Sequence, residues 1–294
     1  MKTKRLLIPP EIYRAVQEGY VFVLSISGGK DSDTMMREVV KWLRSIGATN
    51  EVFAIHADLG EIEWKESLPH CQALCDHLNI PLVTVKPTID GQEVGLVDLW
   101  KRRRQKLEGQ NKPFWSSARN RYCTSDGKVA PINRYLRARY DKIVSVEGIR
   151  WQESKARAEK PRVSKRDSLA TRKRQALTWN AIIDWTTEDV WASGGQSGES
   201  LAQARKHYKE TGKVPSWWNF HPAYAMGNAR VSCALCVLGC NGDFRNGIRH
   251  HPELADKLSA MEQESRFTMR QGTSIERMRK EMEMVSPQTT MFAA

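Results

Sequence analysis

The sequence predicts an α/β fold in which a doubly wound, mostly parallel sheet carries helices on both faces. Four short apolar runs rich in β-branched residues, at 21–26, 51–57, 81–85 and 143–146, are typical of buried strands. Stretches with a helical spacing of apolar residues separate them, and this alternation is the pattern of a parallel sheet. Polar residues directly after the strands are the third observation, because such sheets bind ligands beyond the carboxyl ends of their strands.

The loop between the first strand and the helical pattern at 33–45 is the most informative stretch. Its glycines permit positive φ and close approach of the backbone to a ligand, and the following helix presents unpaired N–H groups to an anion. A Walker A loop requires G-x-x-x-x-G-K-[ST], which this stretch does not contain. The sequence therefore predicts a phosphate-binding loop of another kind, formed by Ser27, Gly28, Gly29, Lys30, Asp31 and Ser32.

Further candidate ligands follow the other strands. Asp58 comes just after the second strand, where its carboxylate suits a ribose hydroxyl, Mg²⁺ or the cap of a helix that starts near Glu61. These interpretations of Asp58 stay open on the sequence. Gly148 and Arg150 follow the fourth strand, and Arg157 lies slightly beyond it. We expect these residues to line a nucleotide site, with the two arginines on phosphates.

The composition of the chain indicates which kinds of partner and which cellular compartment to expect. The chain has 294 residues, 40% of them hydrophobic, and a formal net charge of +12. Such a charge favours a polyanionic partner such as nucleic acid, although a nucleotide enzyme also collects positive charge. The apolar run at 6–8 is too short for a signal peptide, and no stretch reaches the length of a membrane span. We expect a cytoplasmic protein with no membrane partner.

The chain divides into three parts by composition. Residues 1–150 form the predicted nucleotide-binding domain, and residues 179–294 form a C-terminal helical region packed on it. Between them, residues 151–178 are rich in lysine and arginine and read as a mobile basic loop, either a solvated linker or a substrate contact. If it is a contact, the residues expected to meet nucleic-acid phosphates are Arg172, Lys173 and Arg174. The last ten residues look frayed.

The six cysteines indicate metal or redox chemistry, because disulfides are rare in the expected compartment. Three of them lie within eight residues of a glycine-containing loop, and a fourth lies upstream outside any apolar run. Four thiolates suit Zn²⁺ or an iron–sulfur cluster, and the spacing alone leaves both open. The candidate ligands are Cys123, Cys233, Cys236 and Cys240. Cys71 and Cys75 are four residues apart on a predicted helix, which favours two buried side chains.

The chain resembles the phosphoadenosine-phosphosulfate reductase superfamily of PP-loop ATP pyrophosphatases, and within it the branch of the DNA phosphorothioation enzyme DndC. The loop at 27–32 matches Ser-Gly-Gly-x-Asp-Ser, the PP-loop of enzymes that cleave ATP between its α and β phosphates. The other matching segments are Glu147-Gly148-Ile149-Arg150 with Glu153, Ser154 and Arg157, Ile183-Asp184-Trp185 with Glu188-Asp189-Val190-Trp191, and His221-Pro222-Ala223-Tyr224 with Gly227, Arg230, Cys233 and Cys236.

The resemblance implies a PP-loop fold, ATP and Mg²⁺ as cofactors, and a [4Fe–4S] cluster on the four candidate cysteines, which favours iron over zinc. It implies DNA in preference to RNA as the partner, together with a cysteine desulfurase and other proteins of a modification system. A homodimer is compatible with it. Lys30, Asp31 and Arg150 are then the catalytic candidates, with Lys30 stabilising the leaving pyrophosphate.

The predicted function is an ATP pyrophosphatase that adenylates an oxygen of nucleic acid, in the first place the DNA backbone, for replacement by sulfur. A sulfonucleotide reductase is an alternative, but those reductases use a cysteine near the C-terminus and here Cys240 is the last one. A tRNA thiolase is a variant that the sequence leaves open. A non-enzymatic regulator that binds nucleic acid is disfavoured by the complete loop, since a binding module has no need of Lys30 with both serines.

Overall fold

The computed structural model describes residues 4–285 and contains a six-stranded sheet. The strand order is β3-β2-β1-β6-β8-β7, with every neighbouring pair parallel except the edge strand β7, and a separate hairpin joins β4 to β5. The strands are β1 Val21–Ser25, β2 Val52–Ala57, β3 Leu82–Val85, β4 Thr88–Ile89, β5 Gln92–Glu93, β6 Lys142–Glu147, β7 Val163–Lys165 and β8 Gln175–Asn180.

Thirteen helical segments of the described chain accompany the strands. A π-turn at Ser125–Val129 joins α5 to α6, and a 3-10 turn at Gly60–Ile62 follows β2. The helices are α1 Pro10–Gln17, α2 Lys30–Ser45, α3 Ser67–His77, α4 Leu96–Lys106, α5 Tyr122–Thr124, α6 Ala130–Arg137, α7 Lys155–Ala158, α8 Thr187–Ser193, α9 Gly198–Thr211, α10 Pro222–Ala225, α11 Asn241–His250, α12 Pro252–Ser265 and α13 Ile275–Val285.

The sheet is doubly wound, as predicted. Alternate residues of β1 point to opposite faces, so Phe22 and Leu24 join one buried cluster with Met36 of α2, while Val23 joins another with Leu136 of α6. Strand order reverses between β1 and β6, because the chain moves from β1 outward to β3 and then returns to β6. The loops after these two strands therefore separate, and the crevice between them is where a doubly wound sheet binds its ligand.

The C-terminal part is helical, also as predicted. Its helices α11 to α13 share a buried cluster with Trp100 of α4 and with Trp115, so they pack on the first part of the chain rather than forming a separate body. Helix α11 was not predicted. It lies close to the cysteine loop, since a Cβ on Gly247 would come within 1.9 Å of the carbonyl oxygen of Ala234. The predicted frayed tail lies outside the described residues, apart from Val285.

The predicted basic loop at 151–178 is instead part of the sheet. It contains α7, the edge strand β7 and the start of β8, so the sheet of the first part continues to Asn180. Much of its charge is neutralised by ion pairs, including two to acids outside the segment: Arg162 pairs with Asp184 at 2.8 Å and Arg166 with Glu147 at 3.1 Å. Charge density alone suggested a mobile loop, whereas these ion pairs allow a polar edge strand to pack.

Within residues 4–285, no helix has both the length and the apolar character needed to cross a membrane.

Candidate nucleotide site and cysteine loop

The predicted phosphate loop lies at the turn from β1 into α2. Gly28 has φ +75°, and a Cβ there would lie 3.1 Å from the ring of His221, so both conformation and space favour glycine. The hydroxyl of Ser32 donates to the carbonyl of Gly29 at 2.8 Å and accepts from the N–H of Ser27 at 3.3 Å. These bonds close the loop around the start of α2, where helix N–H groups and the dipole attract an anion.

Asp31 holds two cations at this loop. One of its carboxylate oxygens lies 2.8 Å from Nζ of Lys30, and the other accepts a 2.6 Å hydrogen bond from Nε of Arg150. Both cations are buried, and the Lys30 amine lies 5.8 Å from the ring centres of Trp191 and Tyr224. The structure therefore brings the three predicted catalytic residues together, with Asp31 fixing the positions of Lys30 and Arg150.

Gly148 fits against the start of α2. A Cβ on this residue would lie 2.6 Å from the carbonyl oxygen of Asp31 and 2.8 Å from Cα of Ser32. Both are backbone atoms, so a side chain here cannot be accommodated by a rotamer change. The loop after β6 thus fixes the phosphate loop by direct backbone contact.

A cavity of about 420 Å³ opens at this crevice, a volume typical of small-molecule sites. The phosphate loop forms one wall and the end of β2 another, while Arg230, Cys236 and Gly239 from the C-terminal part close it. The predicted site residues that line it are Ser27, Gly29, Lys30, Asp31, Ser32, Gly148, Arg157 and Cys236.

Asp58 does not face this cavity. Its carboxylate accepts a 2.7 Å hydrogen bond from the N–H of Gly60 and pairs with Nζ of Lys86 at 3.1 Å. Of the interpretations left open by the sequence, the geometry matches the capping role, here at the 3-10 turn after β2.

The carboxylates that line the cavity do not fit a protein-bound Mg²⁺. Asp31 is held by Lys30 and Arg150, as described above, and Glu147 pairs with Arg166. Glu153 forms an ion pair with Arg157 and accepts from the N–H of Arg150 at 2.8 Å. Each of these carboxylates is already neutralised by a cation, so the ion would be held by nucleotide phosphates.

Tyr224 is a site residue to which sequence reasoning assigned no role. Its hydroxyl oxygen accepts the N–H of Lys30 at 3.0 Å, and the main chain of Val231 forms a second hydrogen bond to it. Burial raises the pKa of Tyr224 well above its usual value, so the phenol stays neutral. The residue therefore connects the phosphate loop to the chain that leads into Cys233. Its only signal in the sequence was the motif from His221 to Tyr224.

His221 is a fully buried neutral imidazole beside the loop. Its Nδ1 accepts the N–H of Ala223 at 3.1 Å, so Nε2 carries the proton and donates to the hydroxyl of Ser67 at 3.1 Å. Burial, with a smaller contribution from His70, lowers the pKa of His221 to about 3. The ring contacts Gly28, so its uncharged state is part of the packing that supports the loop.

This low pKa predicts acid-sensitive stability. Between pH 6.5 and about 3 the unfolded chain binds a proton at His221 that the folded chain does not, so the free energy of unfolding falls as the pH drops through this window. We expect His221→Asn to flatten the fall in melting temperature between pH 6.5 and 4.5. His207→Asn, at an exposed position of α9, is the control and should reproduce the wild-type slope. Parallel slopes for all three proteins would contradict the assignment.

His56 is a second buried histidine and lines the cavity at the end of β2. Its Nδ1 faces the carbonyl of Ile26 at 3.1 Å, and its Nε2 lies 3.0 Å from a carboxylate oxygen of Glu63. Burial alone would lower its pKa, but the hydrogen bond to Glu63 and the negative charge of that residue together raise it. The strand-end rule that selected Asp58 would have selected His56 as well.

The cysteine loop at 233–240 is held by a neighbouring arginine. Arg270 donates from its guanidinium to the carbonyl of Gly239 at 2.8 Å and to that of Cys236 at 3.3 Å. Cys240 is exposed and precedes α11, where its sulfur accepts the N–H of Asp243 at 3.3 Å. Arg270 thus anchors the loop through its main-chain carbonyls. Of the sulfur atoms in the loop, the one of Cys240 takes part in the hydrogen bonds described here.

Cys123 and Cys233 pack against the same buried cluster. Burial raises the pKa of the Cys233 thiol, and Cys236 and Cys123 lie near enough to raise it further. Cys236 is half-buried and Cys240 lies at the surface. Four thiols fit an iron–sulfur cluster in type and number, yet among residues 4–285 no three His, Cys, Asp or Glu side chains form a metal-binding group. Cys71 and Cys75 are buried, as predicted.

The chain matches the phosphoadenosine phosphosulfate reductase domain over residues 21–198, which is more than half of its length. This protein belongs to that family, and with it to the PP-loop ATP pyrophosphatases, a superfamily of enzymes. The resemblance inferred from the motifs is confirmed at the level of the family.

Two relatives without assigned functions align along most of the chain. An uncharacterized 37.8 kDa protein of Escherichia phage 186 is 22% identical over 297 residues, covering 89% of this chain and 80% of the relative. An uncharacterized protein of Methanocaldococcus jannaschii is 23% identical over 268 residues, covering 87% of this chain and 51% of the relative. The chain therefore spans about half the length of the archaeal relative.

Solved structures with a similar fold share little sequence with the chain. The FMN adenylyltransferase of Candida glabrata, with FMN and an ATP analogue, has a TM-score of 0.41 and 11% identity, covering 63% of this chain and 51% of its own. The U34-tRNA thiolase NcsA of Methanococcus maripaludis, with its [4Fe–4S] cluster, has a TM-score of 0.39 and 13% identity, covering 94% and 78%. An NAD⁺ synthetase of Burkholderia pseudomallei has 0.36 and 13%, covering 82% and 85%.

Proposed function

We propose that this protein is an ATP pyrophosphatase that adenylates an oxygen of nucleic acid, in the DNA backbone, so that sulfur can replace it. The observation that carries the proposal is that one cavity is lined both by the phosphate loop and by Cys236 with Gly239 of the cysteine loop. ATP activation and sulfur chemistry would then take place next to each other.

ATP would bind with its β and γ phosphates on the loop at 27–32. Loop N–H groups and the Lys30 amine would contact the pyrophosphate, while Arg157 and Arg230 supply further positive charge on the cavity wall. Mg²⁺ would enter with the nucleotide. Arg150 lies behind Asp31 and holds it in place, so its role is positioning rather than contact with phosphate.

In the proposed reaction, an oxygen of the nucleic-acid backbone attacks the α-phosphorus of ATP. The bond from this phosphorus to the oxygen that bridges it to the β-phosphate breaks, and pyrophosphate leaves with both electrons of that bond. Lys30 stabilises the charge that develops on the leaving group, and the buried setting strengthens this interaction. A partner cysteine desulfurase would supply sulfur as a persulfide, which a thiol reductant converts to hydrosulfide with formation of a disulfide. The hydrosulfide then attacks the phosphorus of the adenylated backbone phosphate, the bond from that phosphorus to the AMP oxygen breaks, and AMP leaves with both electrons of that bond.

The four cysteines Cys123, Cys233, Cys236 and Cys240 would hold a [4Fe–4S] cluster, which supplies sulfur binding or transfer when present. The chain's own contribution is to hold the loop at 233–240 against the cavity through Arg270 and to connect it to the phosphate loop through Tyr224.

Iron content tests the ligand assignment. Anaerobically purified protein should contain about four irons per chain and absorb in the visible range. Cys233→Ser should lose most of the iron, because it removes a thiolate from the set. Cys71→Ala is the matched control: this thiol is fully buried beside His56, outside the proposed set, and the variant should keep its iron. One zinc per chain, or iron loss only in the Cys71 variant, would contradict the assignment.

The products and the stimulating acceptor test the function. Protein incubated with ATP and duplex DNA should release pyrophosphate at a rate that rises with DNA, and AMP should follow when sulfide is added. ADP and phosphate as products would exclude PP-loop chemistry. A rate that rises with tRNA and not with DNA would indicate a tRNA thiolase, and turnover of a sulfonucleotide with a reduced thiol partner would indicate a reductase.

A further inference from the structure

We propose that the exposed cations of residues 101–121 form a phosphate-binding surface that leads the nucleic-acid backbone to the cavity. This inference rests on the proposed function, in that the acceptor is a nucleic acid. We name it the α4 surface, and its residues are Lys101, Lys106, Lys112, Arg119 and Arg121.

The α4 surface concentrates much of the chain's positive charge. Residues 101–121 contain eight lysines and arginines and a single acid, Glu108, in a chain of net charge +12. Lys106, Lys112, Arg119 and Arg121 are exposed and form no ion pair with any described residue, since the ion pairs recorded within 4–285 do not include them. Exposed cations without carboxylate partners are available for phosphate oxygens.

Buried aromatic residues hold this surface in place. Trp100 of α4 packs edge-on against Trp115 with ring centres 5.2 Å apart, and its indole N–H donates to the hydroxyl of Ser116 at 3.1 Å. The start of α4 is tied to the turn after β2, because the N–H of Leu96 donates to the carbonyl of Leu59 at 2.9 Å. The cations therefore project from a fixed helix and an anchored loop.

The α4 surface meets the cavity at one residue, Arg121. The guanidinium of Arg103 stacks 4.6 Å from the ring centre of Tyr122, and the preceding residue, Arg121, lines the cavity itself. On the other side, a groove of about 980 Å³ between α4 and α12 has Lys101 and Lys112 on its wall. A backbone bound by Arg121 would lie beside the cavity that contains the phosphate loop.

Residues 172–174 of the other basic stretch do not offer this path. Arg174 donates to the carbonyls of Tyr140 and Arg137, at 2.9 Å each, so its guanidinium is engaged in bonds that stabilise the fold. Arg172 and Lys173 are exposed but precede β8, at the amino end of the sheet. The phosphate loop lies at the carboxyl end, and a six-residue strand spans about 20 Å. The expectation that residues 172–174 contact the reacting acceptor is therefore replaced by the α4 surface.

Two double variants test the inference. Lys112→Ala/Arg119→Ala removes two exposed, unpaired cations of the α4 surface. Arg172→Ala/Lys173→Ala removes two equally exposed cations at the amino end of the sheet. Binding of a fluorescent 20-base-pair DNA duplex is measured by anisotropy at several salt concentrations, with melting curves to verify folding. The first pair should weaken binding about 30-fold at 0.15 M salt and lower the log–log salt slope by about 1.8, the effect of two lost phosphate contacts. The second pair should match the wild type.

Equal losses in both variants would show a diffuse effect of net charge and overturn the α4 surface, as would an unchanged first pair or a wild-type protein that binds no duplex. Release of pyrophosphate by the wild type, measured separately, distinguishes failure of the α4 surface from failure of the proposed function. Duplex binding through Lys112 and Arg119 without adenylation would contradict the proposed function but not the α4 surface. Pyrophosphatase activity without duplex binding would contradict the α4 surface and would still support the proposed ATP chemistry.

Discussion

Replacing Lys30 with alanine is expected to lower the rate of pyrophosphate release about 10²- to 10³-fold, the scale found for loss of one preorganised donor. The Lys30 amine is buried, held 2.8 Å from Asp31, and faces the loop where the leaving group would sit. Its interaction strengthens as charge builds up on pyrophosphate, so kcat should fall by more than KM rises.

Lys41→Ala is the matched control for this measurement, because Lys41 lies on the same helix but is exposed. Single-turnover release of pyrophosphate from labelled ATP, followed for wild type and both variants, separates the effect of charge at the loop from that of helix composition. Full activity in the Lys30 variant, or equal losses in both, would remove the lysine from the reaction.

The parallel core could be predicted because its strands are buried on both faces. Val21 to Leu24 are continuously apolar, which is a strong local signal. The predicted strands at 51–57 and 143–146 correspond to β2 and β6, which pair with β1 in parallel as the predicted fold class requires. The edge strand β7 could not be found in this way. Its residues, Val163–Lys165, are half-buried or exposed. The strand is held by pairing with β8 and by ion pairs of the flanking residues Arg162 and Arg166 with Asp184 and Glu147.

The site was predictable where its residues are contiguous. The loop at 27–32 and the segment at 147–150 are local motifs, and the strand-end rule placed them together. Tyr224 and His221 approach the loop only through the packing of the C-terminal part, over nearly 200 residues of sequence. Asp58 follows the carboxyl end of a strand just as Gly148 does. Only its contacts with Gly60 and Lys86 show that it caps a turn instead of facing the nucleotide site.

Basic stretches showed the limit of charge as a signal. The segments at 151–174 and 101–121 are both rich in arginine and lysine. Among the described residues, five of the nine cations of the first segment pair with acids such as Asp184, whereas three of the eight cations of the second do so. Composition reports how many charges a segment carries, and tertiary structure decides how many remain available.

Although Gly148→Ala adds a single methyl group, it is expected to lower both the thermal stability of the protein and the rate of pyrophosphate release. The added methyl group would lie 2.6 Å from the carbonyl oxygen of Asp31 and 2.8 Å from Cα of Ser32, far inside van der Waals contact. Because both atoms are backbone, relief requires α2 to move away from β6, and overpacking of this kind costs about 1–3 kcal/mol. The melting temperature should fall by roughly 2–5 °C.

The same movement would displace Lys30 and Asp31 from their positions over the cavity. A shift of about 1 Å at a reacting centre can cost about 10²-fold in rate, so we expect pyrophosphate release to fall by about that factor. Gly198→Ala is the matched control: this glycine begins α9 with open space around its Cα, and the variant should keep wild-type activity and melting temperature. Melting curves and initial rates are measured below the melting temperature of every variant, so that lost activity reports the displaced loop and not unfolded protein. If Gly148→Ala kept full activity while Gly198→Ala did the same, the backbone contact between the 147–150 segment and the phosphate loop would have no part in positioning Lys30.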